Sequence, residues 1–418
     1  LAESPHPPSP DAPGDEPDGP SLDRADKAAL VTVWLTLFLD LVGFGIVLPV
    51  LPFYAEHFGA SPQVVTLLST GFSLAQFLMS PVLGRLGDRY GRRPIMLISI
   101  AGSCASMLVL GFAASLWMVF VARVVSGASS ANVSTAQAYV ADRVHPSQRA
   151  KYMGLMGSAI GLGFIFGPAI GGLLSHADHP ELPFLVAAGM AAINWVLAFH
   201  FLPGSPDSAK SKRPQARGGF ALLALGRALE SSAGKTLGGL VLVNFMFYLA
   251  FAAMESTFAL SLEARFGWGG RETGLLFTGI GVVIIVVQGM LVGRLVKWLG
   301  EKRTLMTGMG VLSVGLFTTG AASVPAVAVG GASGIAGGNG FIGPSISALI
   351  SRSSGPTEQG LNLGIASSAA SLARIIGPAI AGVVFEAVGP GVPMMGGAGL
   401  VVLAIVAVAL LVRPPRDD

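Results

Sequence analysis

Gly84-Arg85-Leu86-Gly87-Asp88-Arg89-Tyr90-Gly91-Arg92-Arg93-Pro94 sets four arginines and an aspartate in a short turn between two long apolar runs. A weaker copy follows at Gly293-Arg294-Leu295 and Gly300-Glu301-Lys302-Arg303, so Gly84 and Gly293 are 209 residues apart. Gly167-Pro168-Ala169-Ile170-Gly171-Gly172 recurs at Gly377-Pro378-Ala379-Ile380-Ala381-Gly382 with a step of 210, and Pro146 and Gly154 match Pro356 and Gly364. One unit is written twice. Duplicated halves of this kind build many secondary transporters.

Composition places both copies in a membrane. Of 418 residues, 52% are hydrophobic and 12% charged, and the mean hydropathy is +0.68. Soluble domains carry about 25% charged residues. Small residues let membrane helices approach closely, which suits the 57 glycines. The single cysteine, Cys104, lies in an apolar run and has no intramolecular disulfide partner.

Residues 1–27 are rich in Pro, Asp, Glu and Ser and cannot bury enough apolar surface to fold. They lack the basic start and apolar core of a signal peptide. A membrane helix needs about 20 mostly apolar residues. Twelve runs qualify, at 30–53, 64–86, 94–112, 115–138, 152–175, 183–202, 237–261, 272–297, 303–321, 324–350, 360–386 and 391–412, and the glycine-interrupted tenth and eleventh are the weakest. The expected organisation is a disordered tail over 1–27, a six-helix bundle over 28–203, a linker over 204–235, a second bundle over 236–413 and a tail over 414–418. Within the linker, Phe220–Leu229 has the pattern of a short interfacial helix. The fold class is all-α integral membrane, with two pseudo-symmetric six-helix bundles.

With the amino terminus inside, all but four of the 26 Lys and Arg fall on the inner side. Arg265 and Arg271 are outside, and Arg123 and Arg374 lie within spans. The positive-inside rule then puts both termini in the cytoplasm of a multi-pass cell-membrane protein. The sequence pI of about 9.1 follows from this topology, and no nucleic-acid partner is needed to explain it. Enzyme chemistry has no footing. The six histidines are scattered, and the nucleotide-cradling pattern G-x-x-x-x-G-K-[ST] is absent. A gradient would therefore drive transport, with no cofactor.

Several motifs give the chain a family likeness. They are the loop from Gly84 to Pro94, Asp40-Leu41-Val42-Gly43-Phe44-Gly45 through Pro49 and Pro52, Arg123-Val124-Val125-Ser126-Gly127, and Gly163 through Gly172. Over about 30–413 the chain resembles the major facilitator superfamily, and within it the twelve-helix drug:proton antiporters that include tetracycline and multidrug exporters. Ser126 stands where that family's fourth-helix motif usually has glutamine. The tetracycline exporters also carry acidic residues in helices three and nine and a histidine in helix eight, and none occurs in the matching spans here.

The resemblance implies that Gly84, Asp88, Arg89, Gly91, Arg92, Arg93 and Asp142 latch the halves together on the cytoplasmic side, where a positive-inside anchor is the plainer reading. It implies that Gly163, Gly167, Pro168, Gly171 and Gly172 present a small-residue face of helix five to the other half. The residues themselves single out four intramembrane charges, Asp40, Arg123, Glu255 and Arg374, because an unpaired charge there costs several kcal/mol. Asp40 lies about 15 Å into the first span. Desolvation favours the neutral acid and a nearby cation the carboxylate, a balance that a proton carrier needs. Arg123 is the expected cation, with a static Asp40–Arg123 pair as the alternative. Glu255 is a second proton or cation site, and Arg374 either its counter-charge or an anion site. Asn132, Gln137, Asn244, Gln288 and Asn339 are candidate cavity residues or interhelical braces. The leading expectation is a monomeric, proton-coupled exporter of amphiphilic small molecules, in contact only with bilayer and substrate. A metabolite symporter, a lysolipid transporter and a non-transporting sensor are the alternatives.

Overall fold

A computed structural model describes residues 24–130, 132–145, 148–176, 178–204, 232–355 and 358–412. The tail over 1–23, most of the linker with its Phe220–Leu229 segment, and 414–418 lie outside the described residues. The backbone is helical almost throughout, as it must be where hydrocarbon offers no hydrogen-bond partner. The helices are α1 (Arg24–His57), α2 (Pro62–Tyr90), α3 (Arg92–Gly111), α4 (Leu116–Ser129), α5 (Asn132–Arg143), α6 (Arg149–Leu174), α7 (Leu182–Phe201), α8 (Ser232–Phe266), α9 (Gly270–Val286), α10 (Val292–Ala321), α11 (Pro325–Arg352), α12 (Gln359–Ala387) and α13 (Val392–Leu411). A π-helical turn, Val287–Leu291, joins α9 to α10.

Among the described residues ten helices are long and apolar enough to cross a membrane. One of them, Gly270–Ala321, runs for 52 residues and turns at Gly300, whose φ of 74° and ψ of 166° are not helical. Its two arms count separately. With the glycine-rich α11, 28 residues long, they complete twelve spans. The tenth and eleventh spans are continuous despite their glycines. The fourth is broken between α4 and α5. Ser126, Ser129 and Ser130 crowd the break, and serines there compete for backbone hydrogen bonds: Ser130 Oγ donates to the Ser126 carbonyl at 2.7 Å. The first helix starts at Arg24, inside the segment expected to be tail, and Asp26 in its first turn pairs with Arg143 at 2.7 Å.

The duplication is visible in the bonds. Gly91 links α2 to α3 with φ 93° and ψ 159°, and Gly300, 209 residues on, takes nearly the same conformation. Only glycine adopts it without strain. Arg93 donates to the Phe199 carbonyl at 2.6 Å, and Lys302 to the Ala409 carbonyl at 3.4 Å. Cys104 Sγ contacts the Ala188 carbonyl at 3.6 Å, and Ser313 Oγ the Ala398 carbonyl at 3.0 Å. α1 packs chiefly on α6, and its duplicate α8 on α12.

The halves touch toward the face opposite the basic loops. A Cβ on Gly274 would sit 2.6 Å from Gly172 Cα and from the Pro168 carbonyl, and one on Gly281 would sit 2.8 Å from Ile165. Thr70 of α2 donates to the Ile375 carbonyl of α12 at 3.2 Å. Glu56 in α1 and Glu263 in α8 meet across the same closure, where burial and the neighbouring Glu263 carboxyl push the Glu56 carboxyl up to about 8. Toward the basic face the helices part. A Cβ on Gly154 or Gly157 of α6, Gly289 or Gly293 beside α9, or Gly360 or Gly364 of α12 would meet nothing within 4 Å. The protein is closed at one end and open at the basic end.

Candidate functional site

Asp40 sits in the middle of α1. Its Oδ1 accepts a hydrogen bond from Asn132 Nδ2 at 2.9 Å. Asn132 is the first residue of α5 and is only 1% exposed, so the break in the fourth span delivers its amide to the carboxyl. The expected Asp40–Arg123 partnership is not what forms. Asp40 accepts its hydrogen bond from Asn132, and no ion pair at contact distance joins Asp40 to Arg123 among the described residues. Arg123 instead stacks on Phe72, with Cζ 4.4 Å from the ring centroid, and interacts electrostatically with Glu255.

Glu255 belongs to α8, in the other half. It feels Arg374 most strongly and Arg123 next, although no ion pair at contact distance joins the three. Arg123 is 4% exposed, and its Nε and Nη1 have no hydrogen-bond partner. Arg374 stacks on Tyr248 at 4.9 Å and is itself exposed. It shares a helix face with exposed Gly364 and Ser367 and half-buried Ser371, whereas exposed Leu372, Ile380 and Val383 form a separate apolar stripe. Arg374 therefore faces the open space between the halves, not lipid. Phe44 stands 5.8 Å from Phe72 and 6.2 Å from Phe164, which puts an aromatic cluster beside Arg123.

The amides divide. Asn244 is buried and braces α8 to α12 by donating to the Ala366 carbonyl at 2.8 Å, so it is a structural tie. Gln137 and Gln288 are exposed and Asn339 is half-buried.

The small-residue face of α6 also divides. A Cβ on Gly163 would lie 2.5 Å from Leu41 Cβ, one on Gly167 2.6 Å from Gly45 Cα, and one on Gly171 2.6 Å from the Ile46 carbonyl. These three glycines pack on α1 of the same half, against the first-helix motif, and not on the other half. Pro168 and Gly172 meet α9, as does Gly161, where a Cβ would lie 3.3 Å from Ile285. The correction has a geometric cause: residues at i, i+4 and i+8 share one helix face, and that face points at α1.

At the basic end Arg92 bonds Asp88 at 2.6 Å and reaches Asp142 at 3.6 Å. A Cβ on Gly87 would lie 3.0 Å from Arg92 Nη1, so glycine there lets the guanidinium cross α2. Arg89 stacks on Tyr90 at 5.3 Å, and Gly84 has open space around it. All these partners are in one half. The second half carries the same arrangement with the charges exchanged. Glu301 pairs with Arg352 at 3.2 Å, at offsets of 209 and 210 from Arg92 and Asp142, and Lys297 stands where Asp88 does. The 209-residue step, applied to charges as well as glycines, would have exposed this inversion in the sequence. Arg92→Ala is expected to slow turnover severalfold while leaving substrate affinity unchanged, because Asp88 is about 24 Å along α2 from Phe72 by helix rise. Paired binding and transport measurements on purified protein check this, and weakened binding with normal turnover refutes it.

Two like halves, a charged site between them and an opening at one face define a membrane transporter of the alternating-access class. The sequence model of the Major Facilitator Superfamily matches residues 33–259 and 240–418. The chain belongs to the major facilitator superfamily, whose members are transporters and not enzymes. It is 31% identical to the class G tetracycline resistance protein of Vibrio anguillarum over 84% of this chain and 89% of that one. It is 28% identical to multidrug resistance protein 1 of Bacillus subtilis over 86% and 90%. The crystal structure of the human organic anion transporter MFSD10 is similar with a TM-score of 0.71 and 26% identity, covering 93% of this chain and all of that one.

Proposed function

We propose that this protein exports hydrophobic, amphiphilic small molecules in exchange for protons by alternating access. The observation that carries this reading is Asp40, a mid-span carboxyl held by one neutral amide. Asn132 donates to the carboxylate without adding a charge, so proton loss and gain change the net charge of the site. Relatives named for tetracycline and multidrug resistance favour export over import. Tetracycline itself is a poor candidate, because this chain lacks the added acids and histidine of helices three, eight and nine. Glu255, under the field of Arg123 and Arg374, is the counter-charge of these arginines, and Asp40 carries the exchanged proton. Gln137, Gln288 and Asn339 lie along the cavity. The cluster of Gly84, Asp88, Arg89, Gly91, Arg92, Arg93 and Asp142 closes the basic end in the opposite state. The basic face is cytoplasmic, both termini are inside, the coupling ion is the proton and the working unit is a monomer.

Topology and direction are tested together in everted vesicles. Cysteines at Lys151 and Leu361, exposed and 210 residues apart, should both react with an impermeant maleimide added outside everted vesicles, and neither should react in intact cells. Cys104→Ser removes the background thiol, and Ser313 already occupies the matching place in the other half. Labelling of either site in intact cells overturns the topology. With an acid interior, the same vesicles should accumulate an amphiphilic dye. Accumulation only with an alkaline interior would make the protein a symporter.

A further inference from the structure

Arg123 and Arg374 lie on opposite halves, and the buried Glu255 carboxyl lies in the field of both. Two guanidiniums against one carboxylate leave an excess positive charge when Glu255 is ionised, and a larger one when it is neutral. Arg123 is nearly inaccessible, yet two of its nitrogens have no acceptor. Buried polar groups are ordinarily hydrogen-bonded, so such donors call for an acceptor that arrives from elsewhere. Stacking on Phe72 and Tyr248 occupies one face of each guanidinium and leaves its in-plane N–H donors available. Those donors suit carboxylate, sulfonate and phosphate oxygens. Phe44, Phe72 and Phe164 supply an apolar bed beside them.

From this geometry we infer that Arg123 and Arg374 form the headgroup subsite of the transport cavity, and that the exported amphiphile carries an anionic group on an aromatic or otherwise apolar body. The inference rests on the export reading and sharpens its substrate class. The anion shares the field of the two guanidiniums with Glu255, so Glu255 competes with substrate for the arginines. The ionised carboxylate weakens anion binding, and the neutral acid strengthens it.

The test uses the full chain in neutral maltoside detergent with two dyes on the same tricyclic core, fluorescein as the anion and rhodamine 6G as the cation. Equilibrium dialysis should show fluorescein binding at least about tenfold tighter, the scale of one charge-assisted contact. Arg374→Gln should remove most of that preference, Arg374→Lys should retain part of it, and Glu255→Gln should tighten fluorescein and weaken rhodamine 6G. Size-exclusion profiles identify any variant that fails to fold, and Arg374 is the primary target because its exposure makes it the safer substitution. Tighter binding of rhodamine 6G, binding of neither dye, or a dye ratio unmoved by Arg374→Gln overturns the inference. Gradient-driven transport separates the two readings. Fluorescein that binds but is never moved by a proton gradient sinks the export reading and leaves the subsite standing. Rhodamine 6G that is exported while fluorescein does not bind sinks the subsite and leaves export standing.

Discussion

Asp40→Asn should reduce gradient-driven accumulation of dye in everted vesicles to the level of vesicles without the protein, and it should leave the protein folded. The substituted amide keeps an oxygen to accept the Asn132 hydrogen bond of 2.9 Å, so the contact between α1 and α5 survives. What disappears is the ability to change charge. Without that change the two orientations of the cavity exchange regardless of proton binding, and movement down the substrate's own gradient continues. Proteoliposomes loaded with whichever of fluorescein or rhodamine 6G the wild type accumulates separate these outcomes. Loss of uphill transport with retained downhill exchange is expected. Uphill transport by the variant at near-wild-type rate would falsify the role of Asp40.

Gly274→Leu should be the most damaging change at the closed end. A Cβ there already falls 2.6 Å from the Gly172 backbone, and leucine adds a branched chain behind it. Overpacking costs about 1–3 kcal/mol, equivalent to a shift of roughly 5- to 150-fold between two states. The state closed away from the basic face loses that much population relative to its opposite. A cysteine at Ser367, on the cavity face of α12, should then become reactive to impermeant maleimide in intact cells, and turnover should fall with it. Gly281→Leu, at the same seam, should act alike. Unchanged labelling and unchanged turnover in both variants would mean that the α6–α9 contact is not the seal.

Much of this was legible beforehand, for reasons that can be named. The helices follow from composition and length, since a spanning chain has no other way to satisfy its backbone. Duplication followed from glycines and loop charges at a fixed step, and Gly91 and Gly300 return that step as matched dihedral angles. The four intramembrane charges could be found because such residues are costly and few. Pairing among them was less accessible. Spacing along one helix says nothing about height on another: the sequence pairs Arg123 with Asp40, whereas Asn132 sits at that level and Arg123 lies in the field of Glu255 of the other half. The face of α6 was misdirected for a similar reason. A run of glycines announces a close neighbour without saying which, and three of them turn inward to α1. Asn244 illustrates a third case: an amide in a span has the same appearance in sequence whether it lines a cavity or ties two helices.

The exchanged charges at the basic end carry a historical meaning. Asp88, Arg92 and Asp142 in one half correspond to Lys297, Glu301 and Arg352 in the other. If both halves began as the same segment, one triad has reversed all three signs. No single substitution accomplishes that. Changing Arg92 alone would leave three acids together, and changing either aspartate alone would set two cations side by side, each a repulsive contact worth a few tenths of a kcal/mol at an exposed helical pair and more where partly buried. The ancestors therefore passed through uncharged residues at these positions or accepted a weakened contact for a time. The present pairs, at 2.6 Å and 3.2 Å, are the two ends of that path, and the neutral states between them could be rebuilt one substitution at a time.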